Sequence, residues 1–190
     1  MEIVILGAGY AGIFAAANLC KRSGIKVTLV DKNPYHQLLQ QIHCVAAGIK
    51  KPEEITFSVK ELFDDELTFV QGSVRYIDLI NKIVDVDKGD DDNENPKIKY
   101  DYLIIALGSS NYYYGISGAQ EYTHRFRSVS DALKLKKEID SLNSGSTITI
   151  CGGGSTGASL AGALSDSNNI DRRIKNQTSG SSKQYPSGMG

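Results

Sequence analysis

Two glycine-rich segments of the same pattern, each behind a short apolar run, contain the residues whose spacing could do chemistry. The first is Gly7-Ala8-Gly9-Tyr10-Ala11-Gly12 and the second is Gly152-Gly153-Gly154-Ser155-Thr156-Gly157. In a G-x-G-x-x-G loop, the glycines allow a tight turn out of a strand, a close approach of the backbone to a pyrophosphate and close packing of the next helix. The pattern predicts binding of nucleotide phosphates, and two such loops in order suggest a flavin site followed by a nicotinamide site.

The first loop lies in a complete sequence unit. A strand-like run precedes it, a helix-like stretch follows it, and a second strand-like run ends at Asp31. The N-terminus of the helix would offer N–H groups and a positive dipole end to phosphates. Asp31 falls 19 positions after Gly12, near the offset of about 20 residues at which an acidic side chain accepts hydrogen bonds from a ribose. The candidate dinucleotide-binding residues are Gly7, Gly9, Tyr10, Ala11, Gly12, Asp31 and Lys32.

The second loop begins equally well but is not followed by a complete unit. Residues 147–151 read as its strand and residues 158–164 as its helix, and Gly152, Gly154 and Gly157 are its candidate binding residues. After Leu164 the chain becomes polar, and no later segment supplies the second strand with its ribose-binding residue. We therefore expect an incomplete second nucleotide site.

Composition restricts the class of protein. The chain has 190 residues, 41% of them hydrophobic, and a net charge of −1, which allows one domain and part of another. This charge balance gives no reason to expect a nucleic-acid partner. Residues 1–6 are too short a run for a signal peptide, and no run approaches the roughly 20 apolar residues of a membrane helix. The expected location is cytoplasmic.

The cysteines and histidines predict neither a disulfide framework nor a metal site. The three cysteines, Cys20, Cys44 and Cys151, are far apart and lack C-x-x-C spacing. The three histidines have no partners at metal-binding spacing. We expect all three cysteines to be small core residues.

The segment between the loops reads as an irregular stretch and then a β-rich insertion. Helical character is predicted for residues 37–47, 52–54 and 128–142, the last with Ser130 as N-cap. Strand character is predicted for residues 67–80 and 82–87. An acidic turn over residues 89–96 reads as a solvated hairpin tip. Residues 98–107 read as a buried strand, and their continuous apolar stretch is typical of a central parallel strand covered on both faces.

With these motifs in order, the chain resembles the type II NADH dehydrogenases, single-subunit flavoenzymes that pass electrons from NADH through FAD to a membrane quinone. The matching segments run from residue 1 to about 164. They are Val4-Ile5-Leu6-Gly7-Ala8-Gly9-Tyr10-Ala11-Gly12, Asp31-Lys32-Asn33-Pro34-Tyr35-His36, Val45-Ala46-Ala47-Gly48, Tyr100-Asp101-Tyr102-Leu103-Ile104-Ile105-Ala106-Leu107-Gly108-Ser109, Gly115-Ile116-Ser117-Gly118 and Ser130-Asp131-Ala132-Leu133.

The resemblance implies an α/β fold. Residues 1–109 would form a Rossmann-like FAD-binding domain, with a parallel sheet and a β-meander insertion. Residues 110–164 would begin a second, NAD-binding Rossmann-like domain, and residues 165–190 would form a flexible polar tail. FAD would be the main cofactor, with NAD(H) as a second nucleotide at an incomplete site. The further candidate FAD contacts are Val74, Ala106, Leu107 and Gly108.

The resemblance also implies partners. NADH and quinone would be the reactants, and family members lie peripherally on the cytoplasmic face of the membrane through a C-terminal segment that this chain lacks. The oligomeric state is left open, as an oligomer remains compatible with the sequence.

The chain departs from the family pattern at several positions. Family glutamates are replaced by Ser159 and Ala163, and a family proline and glutamine by Gln40 and Cys44. The family is also about twice as long, so we expect a truncated form. Two alternatives stay open. One is a relative of the sulfide:quinone reductases, favoured only by Cys151, and the other is a non-catalytic nucleotide-binding module.

No catalytic residue is assigned, because hydride transfer to a flavin asks the protein mainly for placement and electronics. Lys32, Tyr35 and His36 could line the adenine or flavin side of a bound nucleotide. Each could equally belong to a polar loop at the end of a strand.

Overall fold

The computed structural model describes residues 1–89, 95–143 and 145–167. These residues form two compact units. The first contains residues 1–38 and 53–123, and the second contains residues 39–52 and the described residues from 124 onward. The tip of the predicted acidic turn and most of the predicted polar tail lie outside the described residues. The domain boundaries proposed from the sequence stay predictions.

The elements follow the α/β order expected from the sequence. The strands are β1 (Glu2–Leu6), β2 (Lys26–Asp31), β3 (Tyr35–Gln37), β4 (Thr56–Ser58), β5 (Thr68–Gln71), β6 (Ser73–Asp78), β7 (Ile83–Asp87), β8 (Lys97–Lys99) and β9 (Tyr102–Ile105). The helices are α1 (Tyr10–Leu19), α2 (Ile42–Ala46), α3 (Val59–Phe63), α4 (Ala119–Tyr122), α5 (Val129–Asp140) and α6 (Ser155–Asp166). Short 3₁₀ turns occupy Leu39–Gln41 and Pro52–Glu54.

A parallel sheet forms the centre of the first unit. Its four strands lie in the order β5-β2-β1-β9, and every neighbouring pair is parallel. Side chains alternate between the two faces of a strand, so Ile5 and Leu29 pack on one face in a cluster with residues of α1 and α3. Leu6 and Val30 pack on the other face. The predicted α/β fold with a parallel sheet is confirmed.

The β-meander covers the second face of this sheet. Strands β6, β7 and β8 form a three-stranded antiparallel sheet. Val84 and Val86, both fully buried on β7, belong to the same cluster as Leu6 and Val30. The sheet therefore has helices on one side and the meander on the other, which explains why residues 3–6 of β1 and Val27, Leu29 and Val30 of β2 are all buried.

The strand predicted over residues 98–107 differs from the structure. It is divided into β8, which belongs to the meander, and β9, which belongs to the parallel sheet. In the described part of the chain β9 is an edge strand and not a central one, and Tyr102 and Ile105 are each 62% exposed. The apolar run correctly indicated a strand of the parallel sheet. Composition does not indicate whether a further strand pairs with its outer side.

The second unit is helical. Helix α2 contacts both α5 and α6, and its buried residues are Ile42, Val45 and Ala46. The single helix predicted over residues 37–47 is wrong, because β3 and a 3₁₀ turn precede the short α2. No helix of the described residues is long and apolar enough to cross a membrane.

The N-cap of helix α5 lies two residues before the predicted one. Its N-cap is Ser128 and not Ser130, since the Ser128 hydroxyl accepts a hydrogen bond of 3.0 Å from the N–H of Asp131. A serine can cap a helix only where its own backbone is still extended, and Ser128 meets that condition with φ −150° and ψ 164°.

Asp131 is the buried charged group of this helix start. Its carboxylate accepts hydrogen bonds from Arg125 Nε at 3.1 Å and from the N–H of Arg127 at 3.0 Å. Burial alone raises the pKa of Asp131, but the hydrogen bonds from Arg125, Arg127 and Ser128 and the charge of Arg125 outweigh it, so the pKa lies below its ordinary value.

We predict that Asp131→Asn lowers the free energy of unfolding by roughly 1–3 kcal/mol at pH 7, because charge-assisted hydrogen bonds are lost. The folded-state pKa is depressed, so this stabilisation is present above the unfolded value of about 3.9 and is lost as the pH falls through the folded pKa. Urea unfolding from pH 7 to pH 3 measures the difference. The control is Asp140→Asn, which removes an exposed ion pair with Lys136 on the same helix. This change should alter the free energy of unfolding by about 0.5 kcal/mol or less. A difference for Asp131→Asn that does not shrink at low pH would contradict the assignment.

Candidate nucleotide-binding site

The first glycine loop turns sharply out of β1. Gly7 has φ +103°, a conformation that residues with a side chain rarely adopt. Its N–H donates to the carbonyl of Val30 at 2.7 Å. A Cβ at this position would collide with the carbonyl oxygen of Ala106. Both the turn and the neighbouring chain therefore require glycine here.

Gly12 lets helix α1 lie directly on this turn. A Cβ on Gly12 would overlap the carbonyl oxygen of Gly7, so the helix could not start this close to the strand with any other residue. The first hydrogen bond of the helix runs from the N–H of Ile13 to the carbonyl of Gly9 at 2.9 Å. The fingerprint thus acts as predicted on its strand and helix.

The loop has a buried side and an open side. Gly7, Ala8 and Gly12 are buried, whereas Gly9, Tyr10 and Ala11 are exposed, with Tyr10 at 42%. No heavy atom lies within 4 Å of where a Cβ on Gly9 would stand. The first-turn N–H groups of a helix have no acceptor within the helix, and α1 has no acidic residue in this turn. The open side is suited to an anionic group such as a pyrophosphate.

Asp31 connects the end of β2 to the loop. Its Oδ2 accepts a hydrogen bond from the N–H of Ala8 at 2.7 Å, and its Oδ1 accepts one from the N–H of Asn33 at 2.8 Å. An ionised carboxylate has about four lone-pair sites, so it can still accept from the hydroxyls of a ribose. The structure gives Asp31 a second role, that of holding the loop, which the spacing did not indicate.

The segment after β9, which contains the predicted cofactor contacts Ala106 and Leu107, lies beside the loop. The N–H of Ala106 donates to the carbonyl of Leu6 at 2.8 Å, and a Cβ on Gly7 would lie 3.2 Å from Leu107 Cα. Gly108 has φ +75° and open space around it. Leu107 is 56% exposed, so this segment offers an apolar surface next to the glycines.

A cleft of about 550 Å³ lies at the ends of β2 and β5. Its lining includes Lys32, Gln71, Gly72 and Lys88, and Gln71 Nε2 donates to the carbonyl of Lys32 at 3.2 Å. Val74, also predicted as a cofactor contact, packs its half-buried side chain against the core cluster of the meander instead. The structure therefore brings Lys32 to the cleft but not the Val74 side chain.

His36 lies beneath the first loop, a position that the sequence did not reveal. It is buried at 7% exposure, and its Nδ1 lies 2.9 Å from the carbonyl oxygen of Ala8. It does not line an exposed adenine or flavin side, as considered from the sequence. The contact joins residues 28 positions apart, and no short-range pattern signals it.

The second glycine loop has the same backbone conformation as the first. Gly152 has φ +111°, close to the +103° of Gly7. A Cβ on Gly157 would collide with the carbonyl oxygen of Gly152, and the space around Gly154 is open. The predicted strand over residues 147–151 is not formed, because none of the described strands pairs with it. The described second site therefore consists of a loop and helix α6.

The thiols occupy different environments. Burial and the nearby Glu66, whose Oε2 lies 3.3 Å from Sγ, raise the pKa of the Cys20 thiol, so it is a weak nucleophile. Cys44 is half-buried, while Cys151 is exposed. The expectation that all three are core residues is wrong for Cys151, since no strand of the described residues covers the segment before the second loop. Among the described residues no group of three His, Cys, Asp or Glu side chains could hold a metal ion.

We predict that Gly12→Ala destabilises the fold and that Gly9→Ala does not. Gly12→Ala should lower the free energy of unfolding by roughly 1–3 kcal/mol, because its Cβ overlaps the carbonyl of Gly7. Gly9→Ala should change it by less than about 0.5 kcal/mol, because the space is open and φ is −72°. Urea unfolding of the two variants measures both. Equal destabilisation would contradict the tight packing of α1 on the loop.

The comparisons with known proteins agree with this geometry. The type II NADH:quinone oxidoreductase of Staphylococcus saprophyticus is 31% identical over 180 residues, covering 87% of this chain and 43% of the relative. NDH2 of Plasmodium falciparum, solved in complex with NADH, superposes with a TM-score of 0.74 at 25% identity over 87% of this chain and 37% of its own. The sulfide:quinone oxidoreductase of Aquifex aeolicus superposes with a TM-score of 0.68 at 26% identity over 78% and 33%.

This chain spans less than half the length of each of these relatives. The match to a family as a whole covers more of this chain than the match to any of these three proteins. The sequence profile of the pyridine nucleotide-disulphide oxidoreductases matches residues 1–175, which include both glycine loops and the strands and helices around them. With a parallel sheet, a glycine turn closed by α1 and an acid at the end of β2, the chain belongs to the pyridine nucleotide-disulphide oxidoreductase family.

Proposed function

We propose that the first unit binds FAD at the Gly7–Gly12 loop and that the chain carries the FAD-binding part of an NADH dehydrogenase of the type II NADH:quinone oxidoreductase kind. The observation that carries this proposal is the open side of the loop at Gly9, beside Asp31. When bound, a flavin accepts a hydride and passes electrons on. The residues of this chain would bind and orient it.

The residues around the loop fit an extended dinucleotide. The exposed turn at Gly9–Ala11 would receive the pyrophosphate. On one side of it, Asp31 has acceptor capacity for a ribose, and the cleft at Lys32 has the volume for a base. On the other side, Leu107 and Gly108 supply an apolar, open surface. A site that extends to both sides of the glycines favours a dinucleotide over a mononucleotide.

The second loop supports a role for a second nucleotide, NAD(H). Its glycines have the conformation of a phosphate-binding turn. A phosphate turn alone leaves the ribose and the nicotinamide without partners, because no strand follows α6 in the described residues. We therefore propose that residues 145–167 contribute phosphate contacts only, and that NADH and quinone chemistry needs more of the protein than these residues.

A sulfide:quinone reductase role is the second candidate. The exposed Cys151 and the similarity to the Aquifex aeolicus enzyme favour it. Thiol chemistry in such a site would need a low-pKa thiolate. The raised pKa of Cys20 does not help this candidate, so we place it behind the NADH dehydrogenase role. A non-catalytic nucleotide-binding module remains the third.

We predict that Asp31→Ala weakens FAD binding about 10- to 150-fold, the equivalent of roughly 1.5–3 kcal/mol for a lost charge-assisted hydrogen bond. Titration of the apoprotein with FAD, followed by flavin fluorescence, measures the change. Asp101→Ala is the matched control, since Asp101 also accepts a backbone N–H, from Glu2 at 2.8 Å, at the opposite end of β1. Unchanged FAD affinity in Asp31→Ala, or an equal loss in the control, would refute the Asp31 assignment.

We further predict that a polypeptide of these 190 residues binds FAD but has little NADH:quinone reductase activity. Without a positioned nicotinamide, the advantage of orientation, up to about 7–11 kcal/mol, is lost. NADH oxidation with a soluble quinone measures this, with free FAD as the baseline. Steady oxidation above that baseline, abolished by Gly154→Val at a position with open space, would show that the second loop works alone. Failure to bind FAD would instead favour the non-catalytic module.

A further inference from the structure

His36 lies beneath the first loop in a fixed position. It is the central residue of β3, which pairs with β4 through His36 and Phe57. A further backbone hydrogen bond closes each end of this strand pair. The N–H of Val59 donates to the carbonyl of Pro34 at 3.0 Å, and the N–H of Leu38 donates to the carbonyl of Ile55 at 2.9 Å. The imidazole is therefore held by a part of the chain that does not belong to the glycine fingerprint.

The contact with Ala8 determines the tautomer of His36. A carbonyl oxygen only accepts hydrogen bonds, so the Nδ1 at 2.9 Å from the Ala8 oxygen must carry a hydrogen. The ring of Tyr10 meets the imidazole edge-on, with centroids 4.8 Å apart and an angle of 89°. These two contacts fix the direction of the Nδ1–H bond.

Ala8 is held by side chains at both of its backbone groups. Its N–H donates to Asp31 Oδ2 at 2.7 Å, and its carbonyl accepts from His36. The residue is 97% buried, with 3% of its surface exposed. Gly7 is also held by a hydrogen bond, from its N–H to the carbonyl of Val30, but only Ala8 has a remote side chain on each of its two backbone groups.

The orientation of the Ala8 carbonyl decides where the next N–H points. In a trans peptide the C=O of one residue and the N–H of the next point in opposite directions. With the Ala8 carbonyl turned inward to His36, the N–H of Gly9 is directed to the open side of the loop. A peptide followed by glycine flips easily, because glycine accepts φ angles of either sign.

We propose that His36 is a positioning residue of the nucleotide loop, which holds the Ala8 carbonyl inward and so directs the Gly9 N–H toward the phosphate of the bound dinucleotide. The proposal rests on the proposed function for the identity of the ligand, FAD. It goes beyond that function by assigning the affinity of the loop to a buried side chain that does not touch the ligand.

The test compares His36→Phe with His36→Asn. Phenylalanine keeps the ring against Tyr10 but has no donor, whereas the Asn amide nitrogen can stand where Nδ1 stands and donate to Ala8. Asparagine leaves a cavity and phenylalanine leaves the buried Ala8 carbonyl without a donor, so both variants should unfold at lower urea than the wild type. We expect His36→Phe to bind FAD at least about tenfold more weakly than the wild type, and His36→Asn to recover most of this loss. A merely structural role would lower the FAD affinity of both destabilised variants, whereas a positioning role restores the affinity where the donor to Ala8 is restored.

The apoprotein supplies readouts that do not depend on FAD. In ¹⁵N NMR spectra of the wild type, His36 should be the Nδ1–H tautomer, and the Gly9 amide resonance should shift in His36→Phe and return toward the wild-type position in His36→Asn. A hydrogen on Nε2 alone, an unmoved Gly9 resonance, or FAD affinity in His36→Asn no better than in His36→Phe would overturn the proposal. If the wild type does not bind FAD at all, the proposed function fails, while the tautomer and the Gly9 resonance still decide the role of His36.

Discussion

The contact between Gly12 and the carbonyl of Gly7 is the constraint on which the site depends. It lets α1 begin within one turn of the end of β1, and any Cβ on Gly12 would occupy the position of that oxygen. The N-terminus of the helix is thereby held over the carboxyl end of the sheet, where the ends of β2 and β9 also lie. Asp31 and Ala106 reach the same loop because β2 and β9 pair with β1 on its two sides.

The second loop shows which features of the site depend on the glycines and which depend on neighbouring strands. Gly152 and Gly157 reproduce the turn and the helix contact of the first loop. Residues 147–151 nevertheless pair with no strand in the described part of the chain. The loop conformation is therefore a local property of the glycines and the helix. The groups that hold a ribose or a base are not local, because they come from neighbouring strands.

The first unit adds such non-local support at Ala8. Asp31 at the end of β2 binds the N–H of Ala8, and His36 in the β3–β4 strand pair binds its carbonyl. This arrangement orders the loop before a ligand arrives, so less conformational freedom is lost on binding. It also ties the loop to a pair of strands that lies outside the fingerprint.

The sequence alone determined the two loops, the helix after each and the acid at the end of β2, because glycine spacing and apolar runs act within a few residues of one another. Only the tertiary structure decided that β9 is an edge strand of the described sheet, that Val74 faces the core, that Cys151 is exposed and that Asp31 holds the loop as well as ending the strand. It also placed His36 under Ala8, 28 positions away. Burial and hydrogen-bond partners depend on which remote segment packs against a residue, and no local pattern carries that information.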